Sequence, residues 1–149
     1  MAFWKSIRLK ARKARQLSPA DVFPILEAWF TLAFFNLALR RVPLERLQGR
    51  LLQRSSGMRT LAAGGQATKP ARMTRLVGVA ASLHPWLRMT CLCRALALQW
   101  MLSRRGILPV LRLGVLNHGS GVQGHAWLEL DGVPLGEDPA ILERFSRLT

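Results

Sequence analysis

From Cys91 to Arg105 the chain reads CLCRALALQWMLSRR, fifteen residues without a glycine or a proline. Leu, Ala, Gln, Trp and Met dominate the run, and all are compatible with a helix. Apolar residues fall on nearly every side of that cylinder, and a helix apolar all round has to be buried. The rest of the chain must therefore cover it from more than one direction. Thr90 suits the N-cap, and Arg104-Arg105-Gly106 mark the end. With 149 residues, half of them apolar, the chain is large enough to build one such core.

The flanking sequence supplies the cover. Ser18-Pro19-Ala20-Asp21 has the pattern of a helix start, with a Ser cap, Pro at the first helical position and an acid at the third. That helix is expected to run to about Arg41, where Pro43 forces a break. Leu44 to Arg54 has the spacing of a short amphipathic helix, Ser55 to Pro70 reads as a loop, and residues 71–83 as another helix. Beyond the central helix the period changes. Val110 to Leu116 reads as a strand with Leu111, Leu113 and Val115 on one face, followed by a glycine-rich loop from Asn117 to Gly124. His125 to Leu130 reads as a second strand, and Asp131-Gly132 is a hairpin turn before Val133 to Leu135. Helices, then a buried helix, then an antiparallel meander make an α+β domain. Residues 1–84 form its helical part and 85–149 its core, within one compact unit.

Charge narrows the partners. The formal net charge is +14, and the first 17 residues hold six cations and no acid, whereas five of the eight acids lie in the last 21 residues. Such a body steers anionic partners without choosing among peptides, nucleic acid and lipid head groups. No aromatic-rich strand motif for RNA is present, so nucleic acid is not the expected partner. The apolar run Val22 to Leu39 approaches membrane-spanning length, but Pro24, Glu27 and Asn36 interrupt it, and a buried helix is the expectation. Peripheral membrane attachment through the basic start, which carries Phe3, Trp4, Ile7 and Leu9, stays open. Two cysteines two residues apart are poor disulfide partners, and a reducing cytoplasm is the natural compartment. Cys91, Cys93, His84, His118 and His125 lack zinc-site spacing, so neither metal nor cofactor is expected.

Three positions carry chemistry. Cys91 falls in the first turn of the central helix, where unpaired N–H groups and the helix dipole favour the reactive thiolate. The same N–H groups can receive an oxyanion. Cys93 lies about 200° further round the helix, so the two thiols cannot face one cleft; the plainer role for either is a small buried hydrophobe. His125, at the expected start of a strand after a flexible loop, has the titration range of a general base, against the alternative of a hydrogen-bonded core histidine. An acid should orient its ring. With a two-residue turn at Asp131-Gly132, His125 faces Asp138 and Ala126 faces Glu137, about 5 Å apart across the pair. A one-residue bulge would move the choice to Glu137.

The run Thr90-Cys91-Leu92-Cys93-Arg94-Ala95-Leu96-Ala97-Leu98, followed by Arg104-Arg105-Gly106-Ile107, strongly resembles the CLxR(S/A)LAL…RRGI signature of lasso peptide leader peptidases. Arg112 to Val115 (RLGV) and Gly124-His125-Ala126-Trp127-Leu128-Glu129 with Asp131-Gly132 are similar to that family's strand pair and its HAWVE–DG element. The likeness spans about residues 85–145. It implies a transglutaminase-like cysteine protease in which Cys91 attacks, His125 is base and then acid, and an acid holds the histidine. The family's usual Asp falls here on Glu137, with Asp138 next to it. Its substrate is a ribosomally made precursor peptide, and its product amine goes to a separate ATP-dependent cyclase. Some members carry a fused leader-recognition domain of winged-helix type. With helices alone ahead of the core, this chain resembles the split form, which needs a separate recognition protein. Two other readings stand beside this one: a transglutaminase-like acyl transferase with an amine acceptor, and a non-catalytic basic module bound to nucleic acid or membrane.

Overall fold

The computed structural model describes residues 18–58, 69–84, 89–118 and 121–148. The basic segment 1–17 and most of the expected loop after Ser55 lie outside the described residues. A 3-10 turn at Pro19–Asp21 leads into helix α1 (Val22–Ala38), followed by α2 (Leu44–Met58), α3 (Pro70–Ser82) and α4 (Cys91–Ser103). Strands β1 (Val110–His118), β2 (Gly121–Leu130) and β3 (Val133–Pro134) come next, then a short helix α5 (Ile141–Arg144) and strand β4 (Ser146–Arg147). The helix α2 runs four residues past its expected end at Arg54, into the stretch read as a loop.

The helix start at Ser18 forms as its residues require. The Asp21 carboxylate accepts the Ser18 N–H at 2.9 Å, while the Ser18 hydroxyl accepts from the Ala20 N–H at 3.4 Å. Asp21 is buried and also binds Arg72 of α3, whose Nε lies 3.0 Å from Oδ1. The Ser18 N–H first, and the Arg72 guanidinium second, hold the Asp21 carboxyl below its ordinary range. One acid thus closes the capping box of the turn that leads into α1 and ties that turn to α3.

Helix α4 is the centre of the molecule. Cys93, Ala95, Leu96, Ala97, Leu98, Met101 and Leu102 are all buried, against Ala28, Leu32 and Phe35 of α1 and Met73, Val77 and Ala80 of α3. Leu111, Ala126 and Leu128 of the sheet join the same core. Gly106, at φ 79°, takes the left-handed turn after α4 that residues with a Cβ resist.

The sheet has the order β3-β2-β1-β4, antiparallel throughout. Asp131 and Gly132 both have positive φ, as a tight two-residue hairpin demands. The glycine-rich stretch Asn117 to Gly124 is not the loop the sequence suggested. Pairing continues through Asn117↔Val122 to His118↔Gly121, so most of it is strand and His125 sits mid-strand. The far face of the sheet carries a second core of Trp127, Ile141 and Phe145. Gly114 makes room for it: a Cβ there would lie 2.8 Å from the Trp127 ring and 2.9 Å from the Phe145 Cβ.

Candidate active site

Thr90 has extended backbone and caps α4, its hydroxyl accepting the Cys93 N–H at 3.2 Å. The Thr90 carbonyl accepts the Arg94 N–H at 3.1 Å. The helix itself offers no acceptor to the N–H groups of Cys91 and Leu92, at the positive end of its dipole. Cys91 is half-buried there, whereas Cys93 is fully enclosed. The Cys93 thiol donates to the Leu32 carbonyl at 3.2 Å, and burial pushes it up to about 11. One thiol is accessible and the other is locked in the core as a thiol.

Cys91 lines a cavity of about 170 Å³, together with Thr74, Val77 and Gly78 of α3, Arg94 of α4, the β2 stretch Ala126 to Leu128 and the turn Leu135 to Glu137. Topology explains why space is available there. β3 pairs with β2 only at Glu129 and Leu130, and one more bond, from the Leu135 N–H to the Leu128 carbonyl at 2.8 Å, ends the contact. Among the described residues no strand covers the edge of β2 beyond Leu128, and Cys91 of α4 and Ala126 of β2 line the same cavity there.

His125 stands next to Ala126 on that edge. Its Nε2 lies 3.2 Å from Glu137 Oε1. Its ring is 5.4 Å from that of Phe145 and lies near-parallel to Trp127 at 6.2 Å. The Trp127 N–H in turn donates to Glu129 at 3.0 Å, and the buried Glu129 also accepts from Arg112 at 3.2 Å and Arg147 at 3.0 Å. A carboxylate with three donors anchors the aromatic pair against which the histidine leans.

Of the four residues singled out in the sequence, the structure brings Cys91 and Glu137 to one cavity and joins His125 to Glu137. Asp138 points elsewhere: its Oδ1 accepts the Ala140 N–H at 2.9 Å. The hairpin register that pairs His125 with Asp138 holds as far as Leu135 and then breaks at Gly136, whose φ is 75°. That turn brings Glu137, one residue earlier, to the imidazole. The lining from α3 carried no signal in the sequence; Gly136, a glycine between a strand and an acid, was the readable mark of the break.

The cavity therefore holds an accessible thiol at a helix N-terminus together with Glu137, the carboxylate that binds His125, a set of residue types suited to acyl transfer through a thioester. A family model described as transglutaminase-like superfamily matches residues 29–149. No curated protein and no solved structure matches the chain.

Proposed function

Since the chain belongs to the transglutaminase-like superfamily, which includes cysteine proteases and acyl transferases, we propose that it is a peptidase that removes the leader from a lasso precursor peptide. The observation that carries this reading is Cys91 at the capped start of α4, lining one cavity with the carboxylate that binds His125. The CLCRALAL…RRGI run, which resembles that of the leader peptidases, supports the narrower substrate.

In this mechanism a ring whose Nε2–H is held by Glu137 keeps Nδ1 as the base. His125 takes the Cys91 thiol proton, the sulfur bonds to the scissile carbonyl carbon, and the oxyanion faces the free N–H groups of the first turn of α4. The C–N bond then breaks as His125 returns the proton to the leaving amine, which is the new N-terminus of the core peptide. Water, deprotonated by the same histidine, attacks the thioester, releasing a leader carboxylate and the thiol. Glu137 orients the ring and stabilises its charged form throughout.

Partners follow from the same reading. A flexible leader costs ordering entropy on binding, and a separate recognition protein that grips it raises the local substrate concentration. The freed amine is what an ATP-dependent cyclase would consume. The test is precursor cleavage followed by mass spectrometry, with and without the recognition protein. Cleavage that gains water, is accelerated by that protein and is abolished in Cys91→Ala while Cys93→Ala retains activity supports the proposal. Incorporation of an added amine instead of water would identify an acyl transferase, and activity in Cys91→Ala would remove the nucleophile assignment.

A further inference from the structure

Helix α1 is apolar on two sides, and only one of them is used. Ala28, Leu32 and Phe35 are buried in the core. Six large apolar side chains of the same helix are exposed: Val22, Phe23, Leu26, Phe30, Phe34 and Leu37, with Phe23, Phe30 and Phe34 at 74%, 65% and 62%. At 100° per residue these six fall within an arc of about 120°, whose centre lies roughly opposite the buried residues. The expectation of a buried helix thus holds for one face only. Leaving three phenylalanines in water is costly, and a contiguous patch of this kind marks an interaction surface.

The surroundings say what covers it. Near Phe30 and Phe34 the surface opens into a groove of about 580 Å³, bordered by Leu47, Leu51, Trp100 and the exposed Arg50. Arg40 and Arg41 follow the end of α1 and are exposed, as is Arg46. The single acid of α1, Glu27, is mostly buried and bound to Arg104 and Arg105. The 17 residues that precede Ser18 add six cations and no acid, with Phe3, Trp4, Ile7 and Leu9 among them, and they join the chain at the Phe23 end of the stripe. A rim this positive repels the basic segment and, at a net charge of +14, a second copy of the chain.

We infer that this face of α1 docks on an anionic lipid bilayer, with the helix lying in the interface plane and not crossing it. Phenylalanine and leucine enter the acyl boundary while Arg40, Arg41, Arg46 and Arg50, beyond the C-terminal end of α1, meet lipid phosphates. A spanning orientation is ruled out by the other face of α1, which is packed on α3 and α4. The inference is independent of the peptidase reading.

The test is flotation of the full chain with vesicles of phosphatidylcholine alone and of phosphatidylcholine mixed with phosphatidylglycerol. The chain should partition onto the anionic vesicles, and less so as salt rises. Phe23→Ser/Phe30→Ser/Phe34→Ser should weaken partition by roughly a hundredfold or more, with an unchanged urea midpoint because the three side chains are exposed. Arg40→Gln, Arg41→Gln and Arg50→Gln should each weaken it roughly fivefold. Binding undiminished by the three serines would assign it to the preceding basic segment and overturn the inference. So would failure to bind anionic vesicles, or self-association that the serines abolish, which would make the occupant a second copy.

Discussion

Gly136 carries two constraints at once, and a single methyl group violates both. Its φ of 75° lies in the left-handed region, where a residue with a Cβ loses about 1–2 kcal/mol. A Cβ at this position would stand 2.2 Å from the Cγ2 of Thr74. Thr74 cannot simply rotate away, because its hydroxyl donates to the Pro70 carbonyl at 3.0 Å. Forcing such an overlap costs about 1–3 kcal/mol. Gly136→Ala should therefore destabilise the protein by about 2–5 kcal/mol in urea denaturation. It should also displace Glu137 from His125 and slow single-turnover cleavage. Thr74→Ser removes Cγ2 and keeps the hydroxyl bond, so the double variant should recover the steric part and retain only the cost of the left-handed backbone. A double-mutant cycle reads this as a coupling of about 1–3 kcal/mol. A coupling near zero, or a Gly136→Ala protein as stable as the parent, would refute this account of the turn.

Four further outcomes follow from the structure. Glu137→Gln should lower kcat by about a hundredfold or more with little change in KM, whereas Asp138→Asn, which keeps an acceptor for the Ala140 N–H, should stay near parental activity; steady-state cleavage rates separate the two. Iodoacetamide should modify Cys91 alone in the native protein and both cysteines after unfolding, as peptide mapping would show. Because burial raises the Cys93 thiol to about 11 from an ordinary 9.0, the folded state keeps its proton while the unfolded state loses it. Stability should therefore be intact below about pH 9 and fall as pH rises towards 11, and Cys93→Ala should flatten that slope in alkaline denaturation curves. Glu129→Ala strands the Trp127 N–H and two arginines and should cost about 2–4 kcal/mol in urea denaturation.

The parts of the fold that local chemistry dictates were legible in the sequence. Thr90 as cap, the apolar run behind it and the Asp131-Gly132 turn each have one sensible conformation, and together they place Cys91 at a helix start and β3 beside β2. What escaped depended on contacts distant in sequence. β4 is two residues long and exists because Gly114 and Val115 offer it an edge. The exposed stripe of α1 has the same composition as a buried one, and only packing decides which side of the helix faces the core. The pairing of His125 turned on one residue: regular register favoured Asp138, and the left-handed turn at Gly136 put Glu137 there. The accompanying α3 wall of the cavity has no motif at all.

The order in which the chain is made bears on the far face of the sheet. Phe145, which packs on Trp127, and Arg147, which binds Glu129, are translated after Cys91, His125 and Glu137. Until they leave the ribosome, His125 lacks the ring that flanks it, and the buried carboxylate lacks one of its cations. A nascent chain stalled before Phe145 thus already carries Cys91, His125 and Glu137 but cannot hold the histidine firmly. A fold assembled in this order leaves the histidine loosely flanked until β4 has paired with β1.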